Sequence, residues 1–207
     1  MSKRIRAGAL TALVTAALAA GTVLTAPVAG AAPKAAAPTF LSASQLPPHP
    51  TSSWTAGPVT EGFPEALGVC VSTEGVPSYD YRHREFRTDL DTSAVQLTVV
   101  ADTAALAKAL AKHYDDLIRT CADRIEKADP DVAAESRDYG TLPVEEGARV
   151  RGLHTETSWG ANDVSLMSVG RDGRTVTVVQ WGQMGDFDDA PVAAFKKTTT
   201  TAVNKLY

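Results

Sequence analysis

Between Ser136 and Trp181 four alternating segments follow one another with only short turns between them, and that spacing forces antiparallel pairing. The segments are Ser136–Val144, Ala148–Trp159, Asp163–Arg171 and Arg174–Trp181. Glu145-Glu146-Gly147 and Asp172-Gly173 divide them, and Asp-Gly between alternating strands is a strong hairpin signal. Parallel neighbours would need crossovers of a dozen or more residues, and the sequence leaves no room for them. Two further extended segments lie upstream, Tyr81–Leu90 and Ala94–Ala101. In the second, Val95, Leu97 and Val99 alternate with Gln96 and Thr98, which predicts a half-buried strand. The phase differs from that of Phe86, Thr88 and Leu90, so Asp91-Thr92-Ser93 is expected to bend the chain or insert a bulge.

The clearest helical pattern lies between these groups. Asp102 or Thr103 caps a predicted helix to about Lys127, with Leu106, Leu110, Tyr114, Leu117, Ile118, Cys121 and Ile125 on one stripe. Asp129-Pro130 stops it. A final helix is expected after Asp188-Asp189, which would cap it, with Pro191 in the first turn. Its core face reads Val192, Phe195, Thr199, Val203 and Leu206. Phe40 to Pro48 reads as a helical turn stopped by two prolines. Proline and glycine then punctuate Pro50 to Gly75, predicting irregular structure with Trp54 and Phe63 as buried pegs. The fold class is α+β: one domain over 39–207, an antiparallel sheet of about five to six strands packed by two main helices.

The N-terminus has a different character. Lys3, Arg4 and Arg6 precede a weakly apolar run from Ala7 to Leu24, and Ala29-Gly30-Ala31 supplies small residues at a cleavage site. This is the pattern of a Sec-type signal peptide over 1–31, cleaved near Ala31. An uncleaved membrane anchor is the competing reading, but Ala, Gly and Thr dominate the run and Pro27 and Gly30 interrupt it. No cysteine stands near the site to carry a lipid. The expected product is secreted, without membrane insertion after cleavage, and begins with a flexible Ala/Pro-rich stretch over 32–38. The chain holds 24 acidic and 20 basic residues; cleavage removes three basic and no acidic ones, taking the formal charge from −4 to −7. Nucleic acid is a poor partner for such a chain, because binding it needs clustered Lys and Arg. The basic run Tyr81 to Arg87 is short, interrupted by acid, and reads as a solvated strand face.

Export decides how the two cysteines are read. Cys70 and Cys121 are an even pair in an oxidising compartment, which argues for a disulfide closing a 51-residue loop. The alternative, a nucleophilic cysteine served by His49, His83, His113 or His154, has no local signature.

Nucleotide loops, zinc-binding helix pairs and nucleophile elbows are absent from the sequence, and no cofactor or metal is expected. His154 and Glu156 fall on one strand face, with Arg151 and Arg149 near in sequence, so they are candidates for a polar cleft. Asp186-Phe187-Asp188-Asp189 has the carboxylate density of a calcium ligand set but not its loop pattern, and helix capping accounts for it better. Trp54, Trp159 and Trp181 offer contact area in a groove or packing in a core. The candidate cleft set is therefore Trp54, Arg151, His154, Glu156, Trp159 and Trp181.

These residues also carry a resemblance. Phe40-Leu41-Ser42-Ala43-Ser44-Gln45-Leu46-Pro47 before Trp54, then Cys70, Ala94-Val95-Gln96-Leu97-Thr98-Val99-Val100, the Ala-rich helix with Cys121, and Val169-Gly170-Arg171-Asp172-Gly173-Arg174-Thr175-Val176-Thr177-Val178-Val179 resemble the PknH-like extracellular sensor domain. That family occurs in actinobacteria, fused to Ser/Thr kinases or as free secreted or lipid-anchored proteins. The resemblance implies an antiparallel sheet flanked by helices, a disulfide-stabilised core and a ligand cleft. It supplies no catalytic residue. Two features depart from the kinase-linked members: this chain can form one disulfide rather than two, and it has no kinase or membrane helix. The expectation is a secreted, non-enzymatic, sensor-like binding domain for a small molecule, glycan or protein outside the cell. Its rivals are a cell-envelope hydrolase, resting on His154 and Glu156, and a lipid carrier of the envelope.

Overall fold

The computed structural model describes residues 37–207, Ser78 excepted. The expected signal peptide and residues 32–36 of the Ala/Pro-rich stretch lie outside the described residues. Seven strands form one sheet: β1 Thr55–Glu61, β2 Asp80–Arg87, β3 Ser93–Val100, β4 Val132–Leu142, β5 Ala148–Thr157, β6 Asn162–Asp172 and β7 Thr175–Met184. Their order is β1-β2-β3-β7-β6-β5-β4, with every neighbouring pair antiparallel. Three α-helices accompany them, α1 Ala104–Arg119, α2 Cys121–Ala128 and α3 Val192–Asn204. The class is α+β as expected, with more strands than the five to six read from the sequence.

The additional strand is β1, in the stretch expected to be irregular. Pro58 cannot donate to a ladder, and the register shifts between Ala56 and Val59. An edge strand tolerates both, because it pairs on one side only. Asp91-Thr92-Ser93 bends the chain, as one of the two expectations had it, and inserts no bulge. Asp91 and Thr92 complete the β2–β3 hairpin turn, closed by Thr88 N donating to Thr92 O at 3.0 Å, and Ser93 opens β3, while Leu90 leaves the strand for solvent.

The long helix is broken where a single one was expected. Thr120 departs from helical geometry, and its hydroxyl donates back to Asp116 O at 3.0 Å. The Arg124 guanidinium takes Leu117 O at 2.7 Å, so the carbonyls freed by the break are satisfied. Thr103 is the N-cap, accepting from Leu106 N. Leu106 itself is exposed, and Ala107 takes its expected place in the core. The last helix also starts differently. Pro191 holds the cap position, and Asp188 and Asp189 do not cap α3. Asp186 Oδ1 accepts from Asp188 N and Asp189 Oδ2 accepts from Asp186 N, closing a local turn instead.

Helices cover both faces of the sheet. On one face Val95, Leu97, Val99, Met167, Val169, Val176 and Val178 meet α1 and α2 through Leu110, Tyr114, Ile118 and Cys121. On the other, Val150, Val164, Leu166, Val179 and Trp181 meet Phe195 and Ala202 of α3, together with Leu41 and Leu46. Gln96 and Thr98 therefore point into a second core rather than into water. Gln96 Oε1 accepts from Leu41 N at 2.7 Å and its amide donates to Thr177 Oγ1 at 3.3 Å. That pairing is what makes polar side chains tolerable there.

Close approach of α3 depends on Gly170. A Cβ there would lie 2.3 Å from Val203 Cγ2 and 3.0 Å from the Ala148 Cβ. Gly170→Ala is expected to destabilise by about 1–2 kcal/mol through overpacking. With Val203→Ala added, the loss should be smaller than the two single losses summed, as measured by urea unfolding. Strict additivity would mean that α3 does not rest on this contact.

Candidate functional site

Strands β3, β6 and β7 present their alternating residues to the α1–α2 face, and at one end of the sheet all three change character. Along β3 the series Val99, Leu97, Val95 ends in Ser93; along β7, Val176 and Val178 give way to Gln180 and Gly182; along β6, Val169 and Met167 give way to Ser165 and Asp163. Register aligns these changes into transverse rows. Glu85, Val95, Gln180 and Met167 are successive partners, and Arg87, Ser93, Gly182, Ser165 and Leu153 form the next row. No residue of α1 lines this end, and α2 reaches it only with Ile125.

What stands over it is the segment between β1 and β2. Its Leu67 and Val71 are fully buried in the α1–α2 core, and Cys70 is bridged to Cys121 at the start of α2. Arg124 of α2 adds a second tie, donating to Cys70 O at 2.9 Å. The segment is thus pinned to the helix and becomes a wall above the sheet. Below it lie two adjoining hollows that share Ser93 and Gln180 in their lining, with volumes of about 450 and 280 Å³. Ala66, Val69, Cys70 and Ile125 form the walls, and the two polar rows form the floor. Gly182 leaves the groove deep: a Cβ there would meet nothing nearer than 3.5 Å, so the opening is left by the missing side chain rather than demanded by packing.

The chemistry of the groove is mixed. Glu85, Asp91 and Asp163 supply carboxylates, Arg87 is the one basic residue on the lining, and Ser93, Ser165, Thr155, Gln180 and Gln183 supply hydroxyls and amides. Its cysteine is tied up in the bridge, no histidine lies on the lining, and no free cysteine occurs among the described residues. Such a surface can orient a polar ligand by hydrogen bonds and hold an apolar portion against Val69, Val95 and Ile125.

The candidate set from the sequence is not brought together. Arg151 lies on the α1–α2 face, where Nε and Nη2 donate to Asp115 Oδ1 and Oδ2 at 2.7 and 2.9 Å. His154 points to the opposite face, with its ring 5.6 Å from that of Phe187 and Nε2 paired with Asn162 Oδ1. Glu156 follows it on that face and is exposed, and among the described residues no hydrogen bond joins the two. Trp181 is buried in the α3 core. Trp54 is half-buried on the same side and donates Nε1–H to Pro47 O at 2.7 Å. Trp159 stands in solvent on the β5–β6 turn. The Arg151 guanidinium is pushed up chiefly by its hydrogen bonds to Asp115, and the neighbouring Arg149 guanidinium holds the Asp138 carboxyl below the usual carboxylate range.

No family model matches the chain, and no curated protein matches it. Among solved structures it is similar to the crystal structure of the extracellular domain of PknH from Mycobacterium tuberculosis. The TM-score is 0.48 at 16% sequence identity, covering 81% of this chain and 98% of that one.

The sequence reading missed Ser93, Ser165, Asp163 and Gln180, although a signal for them was present. Ser93, Gln180 and Ser165 are each the first polar residue after an apolar run of one parity, Asp163 follows Ser165, and the three runs break within one row of each other.

Proposed function

We propose that this protein is an exported, non-enzymatic binding module that takes its ligand in the groove beneath the Cys70 segment. The observation that carries the reading is the joint switch of β3, β6 and β7 from apolar to polar at one sheet end, under a wall held by a disulfide. A packed interior has no use for that switch, whereas a ligand site needs a few convergent polar groups on an apolar frame. Export rests on the signal-peptide pattern over 1–31, and the Cys70–Cys121 bridge suits an oxidising compartment. The sequence resemblance to the PknH-like sensor family points the same way.

A thermal-shift screen of the purified chain against envelope glycans, lipids and peptides tests this. A ligand at a hundred times its dissociation constant should stabilise the fold by about 2.7 kcal/mol. Ser165→Tyr, which fills the groove floor, should erase that gain. A ligand whose effect survives Ser165→Tyr binds elsewhere, and the groove assignment then falls.

A further inference from the structure

The groove opens at the sheet end where three large apolar side chains stand in water. Leu90 is 54% exposed on the β2–β3 turn, Trp159 68% on the β5–β6 turn and Met184 60% at the end of β7. They come from three separate turns and strand ends, and the antiparallel order gathers those ends on one side of the sheet: Ser93 partners Gly182, and Gly185 N donates to Asn162 O at 2.9 Å. Met184 shares its face with the groove floor, two residues beyond Gly182 on β7. An exposed tryptophan and an exposed methionine at the same sheet end are the composition of a contact surface rather than of turns that only reverse the chain.

Acid outweighs base at this end: Glu85, Asp91 and Asp163 line the groove against the single Arg87. Asp89 and Asp91 flank Leu90, Asp163 is the register partner of Met184, and the Trp159 turn is tied to Asp131 by Ser158 N donating to Asp131 O at 2.8 Å. Six acids elsewhere, Asp80, Asp115, Asp116, Glu135, Asp138 and Glu146, each meet an arginine or lysine. Among the described residues Asp89, Asp91, Asp131 and Asp163 meet none. Asp91 and Asp163 also line the groove itself, so the negative field extends into it.

We infer that the groove and its apolar mouth receive a cationic peptide segment bearing an apolar or aromatic side chain. The inference rests on the groove being the binding site and names the chemistry of its occupant. Lysine or arginine of the partner would face Asp91 and Asp163, while its apolar side chain would pack among Leu90, Trp159 and Met184. Carboxylates around an apolar centre attract such a segment and repel an anionic bilayer, which an exposed tryptophan alone would not do.

The test uses the full purified chain and four probes: a short peptide of alternating lysine and leucine, its glutamate–leucine counterpart, oligolysine, and phosphatidylglycerol vesicles. The lysine–leucine peptide should bind, quench Trp159 fluorescence, and weaken about tenfold in 0.5 M NaCl, as expected for exposed charges. Trp159→Ala should weaken it by a similar factor, and Asp91→Asn/Asp163→Asn should remove the salt dependence. Oligolysine should bind more weakly, and the acidic peptide and the vesicles not at all. Equal binding of both peptides, binding to the vesicles, or insensitivity to the aspartate pair would overturn the inference. If a neutral envelope component stabilises the chain through the groove while the lysine–leucine peptide does not bind, the occupant's chemistry is wrong and the binding module stands.

Discussion

Reducing the Cys70–Cys121 bridge, or replacing both residues by alanine, is expected to cost about 4 kcal/mol of stability. The bridge closes a 51-residue loop, and most of its effect lies in restricting the unfolded chain. For a chain of this size that corresponds to a fall of roughly 8–16 °C in melting temperature, measured with and without reductant. The folded state should survive, because Leu67 and Val71 remain anchored in the α1–α2 core and Arg124 still holds Cys70 O. Binding should suffer beyond this loss, since the segment is also the groove wall and Val69 and Cys70, no longer tied to α2 by the bridge, would be less firmly held over the sheet. A melting temperature indifferent to reductant would show that the anchors alone define the segment. Ligand affinity unchanged in the alanine pair would separate the wall from the site.

The antiparallel meander was legible because turn chemistry and two-residue alternation agree along β5, β6 and β7, and the hairpin turn falls one residue beyond the expected Asp172-Gly173, at Gly173-Arg174 with Asp172 paired to Thr175. β1 was hidden because Gly57 and Pro58 speak against a strand unless its edge position is known, and edge position is a property of the whole sheet. Gln96 and Thr98 were misleading for a related reason. Polar alternation is read as a wet face, yet here Leu41 and Thr177 satisfy the amide inside a second core. Long-range partners of this kind leave no local trace. The groove lay between these cases. Its polar rows could be seen one strand at a time, but only the register of β3, β7 and β6 makes them a single surface. The His154–Glu156 pair shows the converse: the spacing does place both on one face, and that face is turned away from the groove.

Arg151 marks the boundary between structure and function in this fold, and Asp115→Ala is expected to cost about 3 kcal/mol. The arginine side chain is 9% exposed between β5 and α1, and both Asp115 oxygens accept from it. Removing the acid leaves a buried guanidinium, a loss that typically runs to about 3–5 kcal/mol. The lower end applies because Asp115 is 25% exposed and Asp138 stays 3.5 Å from Nη1. Asp138 cannot replace Asp115, since it is already engaged by Arg149. Replacing the pair together, Asp115→Leu with Arg151→Met, should restore most of the loss, because an apolar pair of similar volume carries no desolvation cost. Urea unfolding of the three variants decides this. A loss below about 1 kcal/mol for Asp115→Ala would make the pair an ordinary surface contact. The folded Leu/Met variant should keep the ligand affinity of the parent, because Arg151 braces α1 against the sheet and does not line the groove. Lost binding in that variant, with stability intact, would return Arg151 to the ligand site where the sequence first suggested it.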